Sequence, residues 1–376
     1  MSMLEIDKLS KVYKSGTFGG GMKPALRQVS FNIDQGEVVS LIGESGSGKS
    51  TLGKIILRLL SASGGRVLFD GTDILGLKPS QLHDYYRNVQ GVFQDPFSSY
   101  NPLYKADRVF ELVRQEYFGH LSQQQWDEKV QAALETVALN PADVINKFPH
   151  QLSGGQQQRL LVARALLLDV KLLIADEIIS MLDASTRVDV LNMLVALKRK
   201  GLAVLFITHD LSLGNYISDR TVILRYGAVV EMGDTEKVFG HPQHPYTRHL
   251  LTAVPQLHRR WQAADAERNA ADGLGAGGAK GSGAGMTGAQ VSTFGADASS
   301  GGGQSQRYSK SGLHPRKAGP PPVPTGPRPS LMELEDQPWR SRFRVRGGPS
   351  VATVLANNAP PALVQFEPGH FVAVEE

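Results

Sequence analysis

Across roughly residues 1–260, short unbroken apolar runs alternate with stretches whose apolar positions recur at helical spacing. Val38-Val-Ser-Leu-Ile42, Leu172-Leu-Ile-Ala175 and Leu202-Ala-Val-Leu-Phe-Ile207 are rich in aliphatic and β-branched residues, with no polar face of their own. Runs of this kind predict parallel strands covered on both sides. A helical pattern (Leu52, Ile55, Ile56, Leu59) follows the first of them. Between about 105 and 150, Leu112, Val113, Val130, Ala133, Leu134 and Val137 repeat at helical spacing and predict a helical block. Residues 4–33 instead alternate, which predicts antiparallel strands interrupted by the Gly-rich stretch 15–21, and residues 221–231 predict a hairpin turning at Tyr226-Gly227. The pattern is that of an α/β core, drawn from about 34–95 and 160–235, with an antiparallel β subdomain and a helical subdomain at about 100–158.

From about residue 263 this pattern stops. Ala, Gly and Ser dominate to about 304, and Pro takes over afterwards. Such a stretch buries too little apolar surface to offset its chain entropy. As a flexible coil it spans about 45 Å, enough for the last segment to reach its own core or a neighbour. Strand character returns from about Leu331, where Arg340, Arg342, Arg344 and Arg346 alternate with Phe343 and Val345. That gives one basic and one apolar face: either a solvated face, or a contact for lipid headgroups or an acidic partner surface. The expected organisation is a domain at 1–258, a linker at 259–330 and a small strand-rich extension at 331–376.

The chain has 376 residues and no cysteine, which excludes disulfides and thiolate metal sites and fits a reducing compartment. Residues 1–7 have neither a basic region nor an apolar run, so no signal peptide is expected. No apolar stretch is long enough to cross a bilayer, so any membrane role requires separate spanning partners. A net charge of +4 is mild and does not point to nucleic acid.

The chemistry sits at the ends of the predicted strands. Gly43-Glu44-Ser45-Gly46-Ser47-Gly48-Lys49-Ser50-Thr51 joins the first run to the first helix. This is the strand–loop–helix setting in which glycines let successive N–H groups face phosphate oxygens, and the helix N-terminus adds positive potential. Lys49 is expected to bridge the β- and γ-phosphates and Ser50 to offer a hydroxyl to Mg2+. Another run ends in Asp176-Glu177. Neighbouring residues on a strand point oppositely, so Asp176 is expected to hold Mg2+ through water while Glu177 polarises the attacking water. His209 closes a third run, where ligands of open parallel sheets collect, and is assigned to the γ-phosphate and the water. Gln94 opens a loop with Pro96 and Pro102; it suits Mg2+ or water, although an isolated glutamine there would be an ordinary loop residue. Leu152-Ser153-Gly154-Gly155-Gln156 is a Ser/Gly/Gln turn whose following helix would present its N-terminus to a phosphate.

Taken together, these motifs resemble the nucleotide-binding subunit of ABC transporters over roughly residues 1–260. The resemblance implies a P-loop NTPase ABC cassette: a RecA-like core with an antiparallel β subdomain and a helical signature subdomain, here with a C-terminal extension. It implies ATP and Mg2+ as cofactors, Glu177 as general base and His209 as the switch histidine. Tyr13 would stack on adenine, although Leu9 to Tyr13 also reads as an edge strand with a packed aromatic. The loop at Gln94 would contact the membrane subunit. Ser180 to Asp183 would cross a dimer interface, and Ser153, Gly154, Gly155 and Gln156 would complete the partner's ATP site.

Ser50-Thr-Leu-Gly-Lys54, Val92-Phe-Gln-Asp-Pro-Phe-Ser-Ser-Tyr-Asn-Pro102, Pro149-His-Gln-Leu-Ser-Gly-Gly155 and the His241–Pro255 stretch resemble the oligopeptide/dipeptide/nickel importers, the first two in particular the second of their two ATPase subunits. The closing stretch, 361–374, resembles the end of such subunits. The implied partners are a second ATPase subunit (a sister or a second copy), two transmembrane permease subunits and an external solute-binding protein. The implied location is the cytoplasmic face of the membrane, as a peripheral subunit, and the cargo is a di- or oligopeptide or a related solute such as an oligosaccharide. The alternatives are a soluble non-transport ABC ATPase or a weakly active regulatory sister. Where the family has Pro after the catalytic glutamate, this chain has Ile178-Ile179. Losing a fixed φ there is expected to loosen the following loop or slow hydrolysis.

Overall fold

The computed structural model describes residues 2–14, 21–252 and 350–374. The chain opens with a long antiparallel pair, β1 (Ser2–Lys14) and β2 (Met22–Asp34), and then runs through the buried strand β3 (Val38–Ile42) into α1 (Lys49–Ile56). It returns along β4 (Gly64–Phe69) and β5 (Thr72–Asp73), which complete a four-stranded sheet in the order β2-β1-β4-β5. Helix α2 (Pro79–Asn88) leads into β6 (Val89–Val92).

A helical block follows: α3 (Arg108–Tyr117), α4 (Gln123–Thr136), the single turn α5 (Pro141–Val144) and α6 (Gly154–Leu166). Its starts are written in polar residues. Ser122 caps α4 in a reciprocal box with Gln125, and the Asn140 side chain caps α5 just before Pro141. Phe110, Phe118, Trp126, Leu134 and Val144 fill its interior.

The core then resumes with β7 (Leu172–Asp176), α7 (Ala184–Arg199), β8 (Ala203–Thr208) and α8 (Leu211–Ile217). The hairpin β9 (Arg220–Arg225) and β10 (Ala228–Asp234) turns at Tyr226-Gly227, both at positive φ, as the sequence predicted. Helices α9 (Thr235–Gly240) and α10 (Pro245–Thr252) close this part.

Strands β9, β3, β8, β7 and β6 lie side by side and parallel. Alternate residues serve opposite layers. Val39, Leu41, Leu205 and Ile207 pack with Leu4, Ile6 and Phe31 of the antiparallel sheet. Val38, Val204, Phe206 and Leu173 pack with residues of the helical side such as Leu160 and Leu191. A sheet covered on both faces has no polar side, which is why these strands read as continuous apolar runs.

The chain end, α11 (Val351–Asn357), β11 (Ala362–Glu367) and β12 (His370–Val374), belongs to the same compact unit. Strand β12 pairs antiparallel with β10, setting Glu231 opposite Val372 and Gly233 opposite His370, and extends the main sheet to β11-β12-β10-β9-β3-β8-β7-β6. Arg27 donates to the carbonyls of Asn358 and Ala359, each at 2.7 Å, and Lys237 donates to that of Pro368 at 2.6 Å. The His370 imidazole meets Glu231 at 2.7 Å, with both side chains fully buried. The chain end therefore rests on its own core. The linker expected at 259–330 and the arginine strand around 340–346 lie outside the described residues.

Phe206 is wholly buried on β8, between β3 and β7. Phe206→Ala should lower the unfolding free energy by about 3–5 kcal/mol, seen as a lower urea midpoint with an unchanged slope.

Candidate functional site

Because the central strands run parallel, β3, β6, β7 and β8 all deliver their carboxyl ends to one edge of the sheet, and the Gly43–Thr51 loop, Gln94, Asp176, Glu177 and His209 lie at those ends. Helix α1 begins directly at Lys49 with no side-chain cap and no acidic residue in its first turn, leaving its leading N–H groups to whatever lies in front. Its N-cap, Gly48, sits at φ +109°, and a Cβ there would stand 2.5 Å from the Ala25 carbonyl oxygen. Only glycine fits.

Lys49 is buried, and its ammonium donates to the Gly43 carbonyl at 2.7 Å and the Glu44 carbonyl at 2.9 Å. An ammonium has three donors, so one remains for a ligand. Burial pushes the lysine below its ordinary pKa, while Glu177, Asp176 and Glu44 push the other way. The buried Ser47 hydroxyl has no hydrogen-bond partner among the described residues. Bare helix N–H groups, a buried cation with a spare donor and a partnerless hydroxyl together fit a run of phosphate oxygens.

Beside this loop, the Ser50 hydroxyl donates to Asp176 Oδ1 at 3.2 Å. Burial raises the Asp176 pKa, and the Ser50 hydrogen bond opposes the shift. These hard oxygen donors suit a small divalent cation that keeps most of its waters. Glu177 follows at φ +51°, with its N–H donating to the Ile207 carbonyl of β8. This left-handed residue turns the carboxylate away from Asp176 and toward His209, whose Nδ1 lies 3.1 Å from Glu177 Oε1. His209 is 57% exposed and Glu177 19%, so the pair opens outward. Gln94, just beyond β6, is exposed. Tyr13 is 40% exposed and its hydroxyl lies 3.4 Å from that of Thr51, which stands its ring beside the start of α1.

Ser153 accepts from Gln156 N at 3.2 Å, and its own N–H donates to Gln156 Oε1 at 2.9 Å, a reciprocal cap on α6. The helix thus begins at Gly154. A Cβ on Gly155 would lie 2.4 Å from Thr186 Cγ2, so the turn packs directly on the first turn of α7. That same Thr186 is held by Asp183, which also accepts from the Ser185 hydroxyl at 2.6 Å. Those bonds, led by Ser185, hold the Asp183 carboxyl far below the usual carboxylate range. The structure therefore assembles two groups. One comprises Lys49, Ser50, Asp176, Glu177 and His209; the other is the Ser153–Gln156 turn seated beside Asp183, and its capping bonds stay within the turn.

Residues 26–180 match the family described as "ABC transporter", and residues 230–277 match "Oligopeptide/dipeptide transporter, C-terminal region". A Brucella ovis protein named as a putative peptide import ATP-binding protein is 41% identical over 67% of this chain and 78% of its own length. The oligopeptide transport ATP-binding protein OppF of Streptococcus mutans is 41% identical over 68% of this chain and 82% of its own. A solved dimeric ATP-binding cassette in a post-hydrolysis state, bound to ADP and Pi, superposes with a TM-score of 0.56 at 31% identity, covering 62% of this chain and 99% of that one. The chain is an ATP-binding subunit of the ABC transporter family.

Within this ABC ATPase, several functional contacts had no signal that a motif search reads. Gln157 and Gln158 are fully buried. Gln158 donates to the Phe93 carbonyl at 3.3 Å, Gln157 donates to that of Pro149 at 2.7 Å, and the Tyr100 hydroxyl donates to the Gln157 carbonyl at 2.8 Å. They tie α6 to the loop that carries Gln94. Their one trace in the sequence is a pair of amides on the apolar side of a helix. Ile178 and Ile179, where the family has Pro, are both buried in the helical-side core, and Ser180 turns back onto the Glu177 carbonyl. The fixed φ of a proline is absent here, and apolar packing anchors the start of the loop.

The raised Asp176 pKa carries a sign. The native carboxyl takes up a proton more readily than the unfolded one, so its contribution to stability is full below the unfolded value of ~3.9. That contribution is lost as pH rises through the native value. Asp176→Asn should therefore raise the thermal midpoint of the nucleotide-free chain at pH 7, and the gain should vanish toward pH 4.

Proposed function

We propose that this ATPase drives solute import from the cytoplasmic face of a membrane, as one of two cassettes that meet head to tail. Each ATP lies between the Gly43–Thr51 loop of one cassette and the Ser153–Gln156 turn of the other. The observation that carries this reading is the division of the site. Lys49 and the bare N-terminus of α1 form half a cradle, and a second phosphate-ready helix start, at Ser153, caps itself through Gln156 and packs on α7 beside Asp183. A γ-phosphate held from both sides closes the pair, and its hydrolysis releases it.

In the reaction, Glu177 accepts a proton from the water as its oxygen attacks the γ-phosphorus; the bond to the bridging oxygen breaks and ADP leaves. His209, hydrogen-bonded to Glu177, orients that carboxylate and reaches the γ-phosphate. Ser50, Asp176 (through water) and Gln94 would hold Mg2+, which supplies charge neutralisation at the phosphates. Tyr13 stacks on the adenine.

Transmission to the permease starts at Gln94. Next to that loop in sequence, Leu103, Tyr104, Phe110, Trp126 and Phe148 line an open cavity on the helical block, with Leu103 80% exposed. Lys105, Asp107, Arg108, Glu111, Gln123 and Asp127 line it as well, and a cavity with apolar and charged walls suits a short amphipathic helix of a transmembrane partner. Among the described residues no helix is long and apolar enough to cross a membrane, in keeping with separate permease subunits. The oligopeptide-type relatives and the match over 230–277 support a di- or oligopeptide cargo, delivered by an external solute-binding protein.

Glu177→Gln should leave ATP binding intact and cut turnover by at least ~10²-fold, the usual loss on removing a general base. ATP-binding titrations and phosphate release, measured with the permease present, read the two effects separately. Near-normal turnover would refute the assignment.

A further inference from the structure

The residue that aims the lysine of the phosphate loop lies outside the loop. The peptide unit joining Gly43 to Glu44 is planar and trans, so its N–H and C=O leave from opposite edges. Its C=O accepts from the Lys49 ammonium at 2.7 Å, and its N–H donates to the Tyr246 hydroxyl oxygen at 3.1 Å. A hydrogen bond at one edge of an amide polarises the other edge and fixes the plane that offers the carbonyl to Lys49. Tyr246 is buried, on α10, and the Arg225 guanidinium lies 4.8 Å from its ring centroid.

Tyr246 is in turn held from the chain end. Its own N–H donates to His244 Nδ1 at 3.1 Å. The N–H groups of Gln243 and His244 both donate to the carboxylate of Glu231, at 2.8 Å and 3.1 Å. Glu231 is fully buried on β10, and its Oε1 also meets His370 Nε2 of β12 at 2.7 Å. Each link in this series, from β12 through Glu231 and the His244 turn to the phosphate loop, is a hydrogen bond. In a buried carboxylate with several donors, loss of one donor is felt by the others.

We infer that Tyr246 is a positioning residue for nucleotide binding: its hydroxyl orients the Gly43–Glu44 peptide against Lys49, and His370 of the C-terminal hairpin secures it through Glu231. The inference rests on the Gly43–Thr51 loop being the ATP site. ATP affinity thereby comes to depend on a segment near the far end of the chain.

The test uses the full-length protein and ATP as the probe. Tyr246→Phe keeps the ring and removes only the hydroxyl. It should raise KM for ATP about three- to tenfold, the range for one hydrogen bond to backbone, while kcat stays within about twofold. The thermal midpoint without nucleotide should hold, and the rise that ATP induces should shrink. His370→Gln should shift KM in the same direction, and adding it to Tyr246→Phe should bring little further change. Unaltered KM and ATP-induced stabilisation in Tyr246→Phe, with both abolished in a Lys49→Ala control, would overturn the inference alone. A fall in the nucleotide-free midpoint with no specific loss of ATP binding would also overturn it, making Tyr246 a packing residue. Full additivity of the two substitutions would disconnect the hairpin from Tyr246. ATP binding that survives Lys49→Ala would instead remove the loop assignment on which the inference stands.

Discussion

Strand β3 is buried on both faces, and both of its hydrogen-bonding edges are filled, by β8 on one side and β9 on the other. A backbone in that position has nowhere to turn until the sheet ends. The chain leaves at Ile42 and must reverse at once into α1 to cover the sheet, and the glycine-rich loop is the geometry of that reversal. The same constraint on β7 and β8 sends Asp176, Glu177 and His209 to the same rim. The phosphate-facing loop, the acids and the histidine thus share an origin in parallel burial.

How far the sequence reveals this varies with the range of the interaction. The buried runs, the helical block, the Tyr226-Gly227 hairpin and the Gly43–Thr51 loop depend on local spacing and could be read directly. The separation of Asp176 from Glu177 was also anticipated, but strand alternation was an incomplete reason. Glu177 has left the strand for a left-handed conformation pinned by the Ile207 carbonyl, which no residue type announces. The contacts of Gln158 with Phe93 and of Tyr246 with Glu44 join residues distant in sequence through backbone atoms. Backbone partners carry no identity, so composition and motif are silent about them. Near the chain end the helix α11 had not been anticipated, nor had the pairing of β12 with the edge of β10.

Burial of Lys49 and Asp176 pushes the lysine pKa down and the aspartate pKa up, so each charged form carries a desolvation cost. A packed apolar rim would be more stable and would bind nothing. A polyphosphate with its cation would offset that cost by pairing with both groups. The Glu177–His209 pair opens outward, with water in reach of the imidazole.

Strand β12 closes the main sheet against β10, although most of a hundred residues separate α10 from α11. During synthesis the nucleotide core is complete long before this last strand leaves the ribosome. Until then β10 presents a row of unpaired amides and carbonyls, an edge prone to joining other chains. A chain without β11 and β12 would keep the Gly43–Thr51 loop, Asp176, Glu177 and His209 but would leave this seam open.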